Sequence, residues 1–202
     1  MTTILSDLDG VLVDSHASIM RAWRWWGAAH GVATDAIESV QQGRPSGEVI
    51  AALAPDLDAA AESRAIDLRQ AGDVDGVIAM PGAHELFAGS DPVAVVTSCT
   101  VPLATARLRA AGLPVPPVLV TPERLSRGKP DPEGYLLAAR ELGAAPADCV
   151  VFEDAPAGVT AGRAAGMHVV GITTTHDPAE LDAHELAPSI AAWLASRNGA
   201  PR

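Results

Sequence analysis

The chain has 202 residues, 48% of them hydrophobic and 19% charged, with a formal net charge of −11 at pH 7. That length can bury a sizeable core in one domain, or in one domain carrying an insertion. With only 14 Lys and Arg against 25 Asp and Glu, no nucleic-acid partner held by its phosphate backbone is expected. A single small phosphate, which needs one or two local cations and some backbone N–H groups, is not forbidden by that charge.

In chain order, the first short apolar run is Ile4 to Leu8, and it closes on the stretch SDLDG. Asp7 and Asp9 stand one residue apart there, close enough to repel unless a cation or a proton is shared between them. From Ser15 to Met80 the chain offers helical periodicity without an evident strand: Ala17 to His30, Ser46 to Leu53 and Ala59 to Gln70. A helical insertion over residues 15–80 is expected, with the crossings near Asp14 and at Met80-Pro81-Gly82 as its hinges. Its Trp23, Trp25 and Trp26 are expected to pack, and His16 and His30 to lie at the surface.

Beyond Pro81 the pattern becomes an alternation. Apolar runs at Val93 to Val96, Val118 to Val120, Cys149 to Phe152 and His168 to Ile172 read as buried parallel strands. Between them, Pro102 to Ala111, Pro132 to Leu142 and Pro156 to Ala165 read as helices, each opened by a proline whose missing N–H does no harm there. The expected fold is therefore α/β: a Rossmann-like parallel sheet core, residues 1–14 and 81–202, with an inserted α-helical cap. Gly199 to Arg202 reads as a frayed tail. Cys99 and Cys149 lack metal-type spacing and are read as reduced thiols. No run is apolar enough to span a bilayer and no basic-then-apolar leader follows Met1, so no membrane association is expected and the location is read as cytoplasmic.

Ligands of open parallel sheets gather at the carboxyl ends of the strands. The polar residues that fall there form a coherent set. Asp7 and Asp9 follow the first run, Thr97 and Ser98 the second, Lys129 (in GKPDP) the third, and Glu153 and Asp154 the fourth. Each has a plainer reading by itself: Thr97 or Ser98 as a helix N-cap, Lys129 as a solvated lysine, Glu153 and Asp154 as first-turn acids. It is their joint occurrence that points to one site.

The blocks DLDGVLVDS, VVTSCT, GKPDPEGY and VFEDAPAG, in that order, resemble the motifs of the haloacid dehalogenase-like phosphohydrolase superfamily. They are most similar to its helical-cap branch of small sugar and polyol phosphatases, and the resemblance spans the whole chain. It implies that Asp7 is the nucleophile and Asp9 the general acid and base. It further implies that Thr97, Ser98 and Lys129 bind the phosphoryl group. Mg²⁺ would be held by Asp7, the backbone carbonyl of Asp9 and Asp154, with Glu153 in support behind them. The implied partner is a small phosphorylated metabolite, and the implied state a monomer or weak dimer.

Arg44, in the loop GRPS, is the cap residue best suited to touch substrate through its planar fork. A related mutase, β-phosphoglucomutase, has the same four motifs plus a cap-hinge histidine followed by xxxW; aligned on Trp23, this chain has Ile19 in that slot. The mutase also has a Lys-Asn pair where this chain reads Thr100-Val101. Hydrolysis is therefore expected, with a mutase or a non-catalytic phosphoacceptor as alternatives. Asp9 and the large cap argue against the phosphoacceptor.

Overall fold

The computed structural model describes residues 2–41 and 44–198, so the tail expected from Gly199 onward lies outside the described residues, as do Gln42 and Gly43 of the loop before Arg44. Six parallel strands form one sheet: β1 (Thr3–Ser6), β4 (Val93–Val96), β5 (Val118–Val120), β6 (Cys149–Glu153), β7 (His168–Ile172) and β8 (Glu185–Ala187). Their order is β5-β4-β1-β6-β7-β8. The chain leaves β1 toward β4 and β5, then returns to the other side of β1 for β6. Crossovers on either flank of β1 diverge at its carboxyl end, which makes that end the crevice where ligands of such sheets bind.

Side chains alternate across the sheet, as period two requires. Ile4, Val95, Val150 and Phe152 face one core layer, with Leu86 of α5 (Ala83–Ala88), Leu103 and Leu108 of α6 (Val101–Ala110) and Trp193 of α9 (Ile190–Asn198). Leu5, Ala94, Val96 and Val151 face the other, with Tyr135 and Ala138 of α7 (Glu133–Glu141) and Val159 of α8 (Pro156–Ala164). The three expected helix-opening prolines serve three neighbouring positions: Pro102 lies in the first turn of α6, Pro132 is the N-cap of α7, and Pro156 starts α8.

Between Asp14 and Ile78 the described residues make four helices: α1 (His16–His30), α2 (Thr34–Gln41), α3 (Ser46–Leu53) and α4 (Ala59–Gly72). They enclose their own cluster of Ala22, Trp23, Trp26, Ile37, Val49, Ile50 and Ile66. Trp23 and Trp26 meet edge to face with centroids 5.5 Å apart. Trp25 departs from the expected packing, being 42% exposed beneath the Arg69 guanidinium. Both crossings into this segment run side by side as a short antiparallel ribbon, β2 (Val13–Asp14) with β3 (Ile78–Ala79). The Arg21 guanidinium, which donates to both carboxylate oxygens of Asp73 at 2.8 and 2.9 Å, ties α1 to the end of α4.

Candidate active site

At the carboxyl end of β1 the pairing continues one residue further, with Asp7 N–H donating to Phe152 O at 2.9 Å, so Asp7 leaves the sheet in strand geometry. The chain then turns at once. Gly10 has φ +77, and a Cβ there would stand 2.1 Å from Asp154 Oδ2, so only glycine allows this turn to pass against the second acid-bearing strand. Glu153 closes β6 and Asp154 follows it, while Gly158 of α8 leaves the room that the Glu153 carboxylate occupies.

Lys129 is delivered by the loop between β5 and α7. That loop is held from beneath, because the Glu133 carboxylate accepts the N–H groups of Ser126 and Arg127 at 3.0 and 2.9 Å. The ammonium donates to Asp7 Oδ1 at 2.5 Å and to Val96 O at 3.0 Å, and pairs with Glu153 Oε1 at 2.6 Å. Burial alone would discharge this amine; Asp7 and Glu153 outweigh it and hold Lys129 charged. The Tyr135 hydroxyl donates to Glu153, which leaves Glu153 committed to Lys129 and Tyr135.

Burial pushes the Asp7 carboxyl well up, with Glu153 and Asp154 adding to the rise and Lys129 opposing it. Asp154 is pushed up to about 7, first by burial and then by Glu153. An excess of acid adds to burial: among the described residues, Asp7, Asp9, Glu153 and Asp154 have Lys129 and Arg107 as the cations paired with them. One oxygen from each of Asp7, Glu153 and Asp154 lies within 4.8 Å of the others. Hard carboxylate donors, crowded and short of positive charge, fit a divalent cation, and Thr175 already donates to Asp154 at 2.5 Å to fix one donor.

Thr97 is buried at the end of β4, and its Oγ1 accepts the Cys99 N–H at 3.1 Å, leaving its own hydroxyl hydrogen to be given elsewhere. It is not a helix N-cap; that position in α6 is Thr100. Ser98 is exposed on the same cavity wall. Arg44, 44% exposed, lies on the cavity rim, where its guanidinium donates to Glu48 at 3.4 Å. The cavity, about 690 Å³, is lined by Asp7, Asp9, Thr97, Lys129 and Asp154 on the sheet side and by His16, Ile19, Trp23 and Arg44 on the helical side. That size is ordinary for a small-molecule site.

A match to the haloacid dehalogenase-like hydrolase family runs over residues 1–166. The chain belongs to that family. This haloacid dehalogenase-like hydrolase is 43% identical over 192 residues to hexitol phosphatase A of Escherichia coli (strain K12), covering 90% of this chain and 88% of the relative. To validoxylamine A 7'-phosphate phosphatase of Streptomyces hygroscopicus subsp. limoneus it is 40% identical over 187 residues, covering 86% of each chain. A solved structure of a hydrolase from Pseudomonas syringae superposes over 100% of both chains with a TM-score of 0.84 at 27% identity.

In this hydrolase the structure also brings residues to the site that the sequence reading passed over. Tyr135 and Thr175 reach Glu153 and Asp154, and Arg107 of α6 pairs with Asp9. Signals existed for two of them. Thr173 to Thr175 sit at the carboxyl end of β7, the same edge as the other acids' strands, and Arg107 is a charge on the apolar face of its helix, beside Leu103, Ala104 and Leu108.

Proposed function

We propose that this chain is a Mg²⁺-dependent phosphatase of small sugar or polyol phosphates that works through a phosphorylated Asp7. The observation that carries this reading is Lys129, clamped between Asp7 and Glu153 at 2.5 and 2.6 Å at the floor of a cavity that also holds Asp154 and Thr97. The substrate class is supported by the names of two similar phosphatases, one of hexitol phosphates and one of validoxylamine A 7'-phosphate, and by a cavity roomy enough for a small sugar phosphate.

Asp7 and Asp154 are the side chains suited to hold the metal, together with the Asp9 carbonyl. Bound there, Mg²⁺ supplies charge neutralisation between an anionic nucleophile and an anionic phosphoryl group. An oxygen of Asp7 attacks phosphorus, the bond to the leaving oxygen breaks, and Asp9 gives that oxygen a proton. In the second half Asp9 takes a proton from water as its oxygen attacks phosphorus, the bond to Asp7 breaks, and inorganic phosphate leaves. Lys129 and the Thr97 hydroxyl meet the charge that spreads over the other phosphoryl oxygens. Ile19 on the cavity wall is aliphatic and carries no proton, which favours water over a second hydroxyl of a rebound substrate as the final acceptor.

A panel of hexitol, hexose and glycerol phosphates and phosphoglycolate tests this. Phosphate release is expected from at least one hexitol or hexose phosphate, is abolished by chelation and restored by Mg²⁺, and is lost in Asp7→Asn. Full activity of Asp7→Asn refutes the reading. Interconversion of hexose phosphates faster than phosphate release favours the mutase instead.

A further inference from the structure

We propose that Arg107 is the positioning residue for Asp9, and that Gln70 of the inserted helices sets where Arg107 stands. The proposal rests on the phosphatase reading above, in which Asp9 serves the leaving group.

Arg107 lies in the last turn of α6, only 2% exposed, among buried Leu103, Ala104 and Leu108. A guanidinium in such a place needs a reason. One arm, Nη1, donates to Asp9 Oδ2 and reaches Cys99 Sγ at 2.9 Å. The other arm, Nη2, donates to the Oε1 of Gln70, a buried glutamine on α4. Its Nε is buried without a partner among the described residues, so the hydrogen bonds that fix the guanidinium are those of its two arms. Arg107 stays charged, because the acids Asp9 and Asp67 beside it oppose the effect of burial.

The consequence falls on the two oxygens of Asp9. Oδ2 is held by two donors, Arg107 Nη1 and the Cys99 thiol at 3.0 Å. Burial, with Asp9 beside it, pushes the Cys99 pKa far up, so it remains a thiol and a donor. Oδ1 meets only the hydroxyl of Ser15 at 2.6 Å among the described residues, and Ser15 has given up capping α1 to do so. A hydroxyl can donate or accept. Arg107 thus occupies one oxygen and turns the other toward the cavity as the one that meets the leaving group. Arg107, Gln70, Asp9 and Asp7 all line that cavity. Because Gln70 belongs to the insert and Arg107 to the sheet domain, the aim of Asp9 depends on where α4 lies.

The test uses leaving groups of different basicity. An alkyl phosphate needs a proton on its departing oxygen, whereas p-nitrophenolate leaves without one, so kcat/KM on the two substrates separates aiming of the acid from general damage. Arg107→Met is expected to lower kcat/KM for hexitol phosphate on the order of tenfold or more beyond its effect on p-nitrophenyl phosphate. Arg107→Lys should recover part of that gap. Gln70→Leu, which keeps Arg107, should open the same gap to a smaller extent, and it carries the test alone if Arg107→Met does not fold. Equal losses on both substrates in these variants overturn this assignment and leave the phosphatase reading intact. Wild-type protein that releases phosphate from neither substrate overturns both.

Discussion

Lys129 makes two demands of its surroundings at once, and both can be measured. In the proposed reaction its charge meets the negative charge gathering on the phosphoryl group, and the same charge neutralises Asp7 and Glu153 in a buried setting. Lys129→Met is therefore expected to lower kcat by about 10²–10³, the usual effect of removing one preorganised donor, worth about 2.7–4 kcal/mol. It should also destabilise the metal-free fold, because breaking a buried pair typically costs about 3–5 kcal/mol. Initial rates and urea unfolding check the two separately; a variant with full kcat would remove Lys129 from the mechanism. Residues of this kind were legible in the sequence because their type and order are unusual: two aspartates at the end of the first strand, a lysine in GKPDP, two acids after CVVF. Tyr135 was not, since it reaches the site by meeting an acid 18 positions away in sequence.

Among the elements, α4 carries the clearest pH signature. Burial pushes the Asp67 carboxyl up to about 6, with Arg107 opposing the rise and Glu123 adding to it. A folded-state pKa above the unfolded one means that the fold binds the proton more tightly. Stability is then lost as pH rises from about 4 to 6, and the loss is constant above that. Asp67→Asn, which mimics the protonated side chain, is expected to raise stability by on the order of 1–2 kcal/mol at pH 8 and by little at pH 4. Thermal unfolding of both proteins across that range checks it; a gain that did not vary with pH would mean that the ionisation of Asp67 is not the cause. Periodicity found α1, α3, α4, α6, α7 and α8, because those segments are long or opened by proline, and it left α2 and α9 unread. It missed α5, six residues between Gly82 and Gly89, and β8, three residues of which only Ala187 is buried. Elements so short are made by what packs on them, and the sequence alone does not contain that.

At the scale of the whole molecule, the order β5-β4-β1-β6-β7-β8 brings distant acids together. Crossovers diverge on either side of β1, so residues from β1, β4 and β6 meet at one edge although they are far apart in the chain. The four inserted helices have their own apolar cluster and cover this edge, closing a cavity of about 690 Å³ over it. The insertion was visible as a break in the strand rhythm. Its α4 facing α6, and with it the Gln70–Arg107–Asp9 chain, was not, because a charge on the apolar face of α6 does not say which helix meets it. The central claim is that the phosphoryl group passes through Asp7. Acid-quenched Asp9→Asn protein, incubated with Mg²⁺ and p-nitrophenyl phosphate, should yield a peptide carrying one phosphoryl group on Asp7, trapped for want of a base to activate water. A label on any other residue, or none on Asp7 while the wild type turns the same substrate over, would contradict the account.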